Sequence, residues 1–289
     1  MNFGQLLTAM ITPFDQQGNL DKDALEPLIE HLLSTGTDGI VVAGTTGESP
    51  TLSTEEKLFL FQRVKEIVAD RAYVLAGTGT NDTRYSVELT EKATTQGVDG
   101  VMIVTPYYNK PNQEGLFHHF QTIAKATHLP VMIYNIPGRC VINMDPTTIV
   151  RLSSIPNVTS VKEASGDIEQ IATVIENTPE NFHVYSGDDS MTLPIMSVGG
   201  TGVVSVASHL IGRDLKQMME EFSAGNIQEA ATLYRKLLPK MKGCFVAPNP
   251  TPIKAMLNEL GIITSYPRPP LLPLKESDWN KMKQLFSLV

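Results

Sequence analysis

The runs Val131-Met-Ile-Tyr-Asn135 and Val158-Thr-Ser-Val-Lys-Glu163 decide the fold. Each is short, rich in Val and Ile and preceded by Pro or Asn, and the chain between them reads as helical. Two parallel strands need a crossover of about a dozen residues or more, usually a helix, and this spacing supplies one. Six further runs have the same character: Leu6 to Thr12, Gly39 to Ala43, Tyr73 to Gly77, Gly100 to Thr105, His183 to Ser186 and Gly202 to Ala207. Their centres lie roughly 20 to 34 residues apart, the length of a strand, a loop and a crossover helix. The runs are near-continuously apolar, as expected for strands covered on both faces. Eight such units predict an α/β protein, a closed (β/α)8 TIM barrel. An open doubly wound sheet would instead show an edge strand or a nucleotide loop at its switch point.

Helix signals fall between the runs. Ser53-Thr-Glu-Glu56 is a capping box ahead of the apolar rhythm Leu58, Phe61, Val64, Ile67 and Val68. Asp21 and Asp145 can cap the helices after strands 1 and 5, and Pro146 suits a first helical turn. After the eighth strand, Asp214 to Ala224, Ile227 to Lys242, Thr251 to Leu260 and Glu276 to Leu288 carry helical apolar spacing. This exceeds one closing helix, so the expected organisation is a catalytic barrel over 1–225 and a C-terminal helical appendage over 226–289.

Composition excludes several function classes. The 289 residues are 42% hydrophobic and 19% charged, enough apolar matter for a large core and unlike a disordered chain. Lys and Arg number 23 against 31 Asp and Glu, a net charge of −8, which argues against nucleic acid or an anionic membrane as partner. Only Cys140 and Cys244 occur, too few for a disulfide framework and without the spacing of a zinc site. With no apolar run of spanning length and no signal-like N-terminus, the expectation is a cytoplasmic protein. The sequons at Asn81 and Asn157 are then chance matches. Nucleotide, zincin and serine-hydrolase motifs are missing. Adjacent His118 and His119 sit in a helical stretch, where neighbours point about 100° apart and do not readily share a metal. No metal is expected.

In such a barrel the active site lies at the carboxyl ends of the strands, and polar residues collect there. Strand 2 ends in Gly44-Thr-Thr-Gly-Glu48, strand 4 in Thr105-Pro-Tyr-Tyr-Asn109 and strand 5 in Tyr134-Asn-Ile-Pro-Gly-Arg139. Lys162 ends strand 6 and Gly187-Asp-Asp189 ends strand 7. Alternation puts Val158, Ser160 and Lys162 on one face. If that face is the lumen, Lys162 loses solvation, which lowers its pKa, and a neutral amine can attack a carbonyl to form a Schiff base. A lysine that snorkels outward or pairs with Glu163 is the plainer alternative. The Tyr134 phenol can carry protons through the Thr46 hydroxyl, or simply fill the core. Thr45 and the turn amides around it can hold a carboxylate. Arg139 can grip a second one bidentately, or make a surface ion pair.

Together Gly44-Thr-Thr-Gly-Glu48, Thr105-Pro-Tyr-Tyr-Asn109, Tyr134-Asn-Ile-Pro-Gly-Arg139, Val161-Lys-Glu-Ala164, Ser186-Gly-Asp-Asp189 and Phe245-Val-Ala-Pro-Asn-Pro250 resemble the dihydrodipicolinate synthase family, from about Gly4 to the end of the chain. The resemblance implies a lyase of lysine and diaminopimelate biosynthesis that condenses pyruvate with L-aspartate semialdehyde. No cofactor is implied beyond a covalent pyruvate imine on Lys162. Tyr134, Thr46 and Tyr108 match the family's proton relay, and Tyr108 is lent by a neighbouring subunit. Thr45 matches the residue that binds the pyruvate carboxylate, and Arg139 the one that holds the semialdehyde carboxylate. Gly187 and Val204 match main-chain contacts near the imine. At least a homodimer is implied, usually a dimer of dimers. N-acetylneuraminate lyase and keto-deoxy-sugar-acid aldolases share the barrel and the lysine and are the alternative activity; a non-catalytic protein that binds small acids is the other. Lysine-inhibited synthases carry a His and a Glu where this chain has Lys57 and Tyr85, while Ser49 and Asn81 still match. Weak or no inhibition by lysine is therefore expected.

Overall fold

The computed structural model describes residues 1–286. Strand β1 (Leu6–Ala9) leads to helix α1 (Leu25–Ser34), and the alternation runs on through β2 (Gly39–Val42), α2 (Thr54–Val68), β3 (Tyr73–Gly77), α3 (Thr83–Thr94), β4 (Gly100–Val104) and α4 (Gln113–Ala124). It continues with β5 (Val131–Asn135), the single turn α5 (Pro137–Cys140), α6 (Pro146–Ser153), β6 (Val158–Glu163), α7 (Ile168–Asn177), β7 (His183–Ser186), α8 (Thr192–Ser197), β8 (Gly202–Ser205) and α9 (Ser208–Ser223). All neighbouring strands pair in parallel, and β1 also pairs with β8, so the sheet closes into the expected eight-stranded barrel. Helices α10 (Ile227–Gly243), α11 (Thr251–Glu259) and α12 (Glu276–Phe286) follow. Of the expected last helix, residues 287 and 288 lie outside the described residues.

Two apolar layers form because successive strand side chains face opposite ways. The inner layer fills the lumen with Leu7, Val41, Leu75, Met102, Met132, Tyr134, Tyr185 and Val204. The outer one packs Leu6, Ile40, Val74, Ile103, Ile133 and Val161 against the helices. Phe3 plugs the amino end, where its amide donates to the Tyr185 hydroxyl at 3.1 Å. Gly100 permits this, since a Cβ there would stand 2.9 Å from the Phe3 ring.

The face expected for strand 6 needs one correction. Val131 pairs with Val158 but Met132 pairs with Ser160, so Thr159 is an extra residue in the ladder. Beyond this bulge Ser160 and Lys162 share the registers of the inward-facing Met132 and Tyr134. Val158, before it, packs in the outer layer and not on the face of Lys162.

Strands 1, 2, 4 and 8 end earlier than their apolar runs because the last residues leave the ladder to build the rim. Ala43 turns to φ 54°, and the amides of Val206 and Ala207 donate to Asp189 at 3.1 Å each. The Ser53 capping box forms in full. Asp145 occupies the cap position of α6, with Pro146 behind it, yet makes no side-chain cap bond; its own amide donates to Gln113 Oε1 at 3.0 Å. The Asp21 carboxylate accepts from Ala24 N at 3.2 Å, ahead of α1, and so caps the turn that leads into the helix.

Candidate active site

Lys162 is 5% exposed and projects from β6 into the mouth of the barrel, its Nζ 4.0 Å from the centroid of the Tyr134 ring. Gly187 makes room for it: a Cβ at that position would lie 3.2 Å from Lys162 Cε. Burial pulls the lysine pKa down to about 7, with Asp189 opposing and Arg139 reinforcing the shift. Near neutrality a large fraction of the amine is therefore unprotonated. Glu163, the alternative partner, faces the other way. Its carboxylate accepts from Asn135 Nδ2 at 3.1 Å and from Ser165 N at 2.8 Å, and burial raises its pKa.

Tyr134 lies one strand away in register with Lys162. Burial raises its phenol pKa far above the usual value, so it stays a proton donor at any physiological pH. A side-chain hydrogen bond with Thr45 acts in the opposite direction. Thr46 is buried next door, and its hydroxyl accepts from Asn249 Nδ2 at 2.9 Å. The two threonines thus face different partners: Thr45 the phenol and Thr46 the segment between α10 and α11.

A cavity of about 240 Å3 opens over this side of the rim, lined by Thr45, Tyr107, Tyr134 and Arg139 among others. A second space, of about 560 Å3, lies between Arg139, Gly187, Lys242 and Phe245. Lys162 lines neither space itself but lies against Tyr134 of the first and Gly187 of the second. Arg139 is common to the two, exposed, and forms no ion pair with the described residues. Its guanidinium is free for a ligand carboxylate. Val204 is buried in the lumen layer.

Tyr108 alone stands apart from these groups. It is 87% exposed, takes the left-handed φ of 75° and lines neither space. His119 is a structural residue: its Nδ1 lies 2.8 Å from Thr83 Oγ1, and burial lowers its pKa to about 4. His118 is exposed on the same helix, 3.3 Å from Glu114. Among the described residues no group of three or more His, Cys, Asp or Glu is placed to hold a metal, and no helix is long and apolar enough to cross a membrane.

Three residues went unassigned at the level of sequence. Asp189, 2% exposed, accepts from Ser205 Oγ and from two backbone amides, and its charge bears on Lys162. Its signals were its position after strand 7 and its place in the Ser186-Gly-Asp-Asp189 motif. Asn249 reaches Thr46 from 203 residues away and lies in the recognised Phe245-to-Pro250 motif. Tyr107 lines the first cavity, where burial raises its pKa.

A desolvated lysine, a buried phenol, hydroxyl donors and an unpaired arginine at the carboxyl ends of parallel barrel strands define a barrel enzyme suited to small anionic substrates. The chain belongs to the dihydrodipicolinate synthetase family, which matches residues 2–288. It is 60% identical over 273 residues, 94% of either chain, to 4-hydroxy-tetrahydrodipicolinate synthase 2 of Halalkalibacterium halodurans. To the 4-hydroxy-tetrahydrodipicolinate synthase of Bacillus subtilis it is 57% identical over 279 residues, 96% of either chain. The crystal structure of a dihydrodipicolinate synthase from Bacillus anthracis superimposes with a TM-score of 0.98 at 47% identity, covering 100% of this chain and 99% of that one.

Proposed function

We infer that this chain is a lyase of lysine and diaminopimelate biosynthesis that condenses pyruvate with L-aspartate semialdehyde to 4-hydroxy-tetrahydrodipicolinate. Relatives at 50–60% identity bearing the synthase name favour this activity over the sugar-acid aldolases. The observation that carries the mechanism is the buried Lys162, with its pKa drawn down to about 7 and no carboxylate of the described residues in ion-pair contact. The neutral Nζ adds to the pyruvate ketone; loss of water gives the imine, with no cofactor. The imine withdraws electrons as a methyl proton leaves, and the resulting enamine carbon attacks the aldehyde. The adduct then cyclises through the semialdehyde amine, which displaces Lys162.

Tyr134 moves protons to and from these intermediates, with Thr45 and Thr46 beside it. Thr45 holds the pyruvate carboxylate, Arg139 takes that of the semialdehyde, and Gly187 and Val204 bound the imine pocket. Tyr108 completes the relay from a second copy of the chain, a homodimer at least and a dimer of dimers by family habit. Its 87% exposure and left-handed φ support that role, since a tyrosine held out in a disfavoured conformation has no use within its own subunit. A cytoplasmic location fits two buried, unbridged cysteines and a biosynthetic activity.

Borohydride reduction with pyruvate, followed by intact mass, tests the reading. One reduced pyruvate per chain, lost in Lys162→Ala, is expected; folded wild-type protein without an adduct would rule out the Schiff base. Arg139→Ala should keep the adduct and lose turnover with the semialdehyde.

A further inference from the structure

Asp189 is 2% exposed in the short turn that follows β7, and no step of the mechanism above touches it. Its carboxylate bonds run to the end of β8 and the residues that lead into α9. One oxygen accepts from the Ser205 hydroxyl, the other from the amides of Val206 and Ala207 at 3.1 Å each. Ser205 is held in turn by the Ser208 amide, which donates to its hydroxyl oxygen at 2.8 Å. The carboxylate therefore ties the strand-7 turn to the end of β8, and the two ends it joins carry walls of the imine pocket. Gly187 stands two residues before it, with Lys162 Cγ and Cε each 3.2 Å from where a Cβ would lie. Val204 stands beside Ser205 on β8.

A clamp alone would not need a charge, since an Asn could accept from the two amides and donate to Ser205 Oγ. This chain instead buries a carboxylate that forms no ion pair among the described residues. The three converging donors favour its ionised form and oppose the burial that raises its pKa. Around it lie Asp188 on the same turn, the Cys244 thiol of α10 and, beyond Gly187, the Lys162 amine. Lys162 is faced in addition by Tyr134, Tyr185 and the Arg139 guanidinium. Of all these groups only the Lys162 nitrogen gains a charge in the reaction. A neutral amine, the pyruvate ketone and one proton give a protonated imine and one water, so a positive charge appears where burial disfavours it.

We propose that Asp189 is the counter-charge of the protonated Lys162 imine, a positioning residue that acts on the imine through its field and through the strand-7 turn, without touching substrate. The proposal rests on the Schiff-base reading and adds to it the group that keeps the imine cationic, and so able to draw electrons from the pyruvate methyl group.

Asp189→Asn preserves the hydrogen bonds and removes the charge. Loss of a nearby negative charge lowers an amine pKa, so the pH midpoint of second-order imine formation, trapped with cyanoborohydride at pyruvate far below saturation, should move down by about one unit from about 7. The pyruvate dissociation constant at pH 8 should rise about tenfold. A slower reaction at every pH with an unmoved midpoint is what a clamp alone would give, and it overturns the proposal, as does an upward shift. If wild type forms no reducible adduct, the Schiff-base reading itself fails; adducts in both proteins with one shared midpoint sink the counter-charge alone. Should Asp189→Asn misfold, the wild-type adduct decides. Its C=N stretch in the Raman spectrum should move to lower wavenumber in D2O at pH 9, the mark of an imine still protonated, and an unmoved band overturns the proposal.

Discussion

Lys162 and Lys254 are both almost wholly buried, 5% and 1% exposed, and both lie with the ammonium over an aromatic ring. They differ in what else faces the charge. Lys254, on α11, meets Glu48 Oε1 at 2.5 Å and donates to the Tyr266 carbonyl at 2.8 Å. Among the described residues Lys162 has no such pair. Its carboxylate neighbour, Asp189, spends its oxygens on Ser205 and two backbone amides. Burial draws both pKa values down, to about 8 for Lys254 with Glu48 opposing, and to about 7 for Lys162. A buried lysine paired with a carboxylate and a carbonyl is a joint between elements; one whose carboxylate neighbour is turned elsewhere is available for chemistry.

That joint has a purpose in the site. Glu48 closes the strand-2 turn, with φ 53°, and also accepts from Arg268 N at 2.8 Å. Arg268 in turn meets Glu56 and stacks on Phe14 at 3.9 Å. Thr45 and Thr46 therefore sit on a turn pinned from behind by the C-terminal helices, and Asn249 sets the direction of the Thr46 hydroxyl by donating to its oxygen.

The contrast can be broken most forcefully at Glu48. Glu48→Ala leaves the Lys254 ammonium buried and unpaired and should cost about 3–5 kcal/mol in urea unfolding. A loss below about 1 kcal/mol would mean that Lys254 finds other solvation and that the two lysines are alike. Next in size, Asn249→Ala should lower kcat by about tenfold or more while the reducible pyruvate adduct still forms. Loss of the adduct would move Asn249 from positioning Thr46 to holding pyruvate.

The pH dependence sharpens the comparison further. Only the neutral amine adds to a ketone, so the second-order rate of imine formation, trapped with cyanoborohydride at pyruvate far below saturation, should rise about tenfold from pH 6 to pH 8 and level off above, as the Lys162 pKa of about 7 requires. A flat profile would detach imine formation from this titration. The smallest effect is expected from L-lysine. With Lys57 and Tyr85 in place of a His and a Glu, concentrations up to about 1 mM should leave turnover unchanged, and half-inhibition below that would refute the reading.

Much of the barrel was legible because strand and helix signals are local. The capping box at Ser53, the Val- and Ile-rich runs and the Gly and Pro breaks each depend on a few neighbouring residues. Where a long-range effect intervened, the reading slipped. The bulge at Thr159 comes from pairing with β5 and reverses the face of Val158. Asp145 makes no cap bond, and its own amide is held by the Gln113 side chain, 32 residues away. Lys162, Tyr134, Thr45 and Arg139 were visible as chemistry-bearing residues at strand ends, where the topology gathers them on one rim.

The chain's order of apolar runs and turns was enough to determine eight parallel strands, a closed sheet and the rim to which polar residues would be delivered, since alternation and crossover length follow from backbone geometry alone. Only the tertiary structure decided which buried charges are paired. Glu48 finds its partners on and beyond α11, Arg268 from 220 residues away, and Thr46 meets Asn249 across 203. Contacts at such separations leave no periodic trace in sequence. They depend on where folded elements come to lie, and the desolvation that separates Lys162 from an ordinary lysine arises only once the barrel has closed around it.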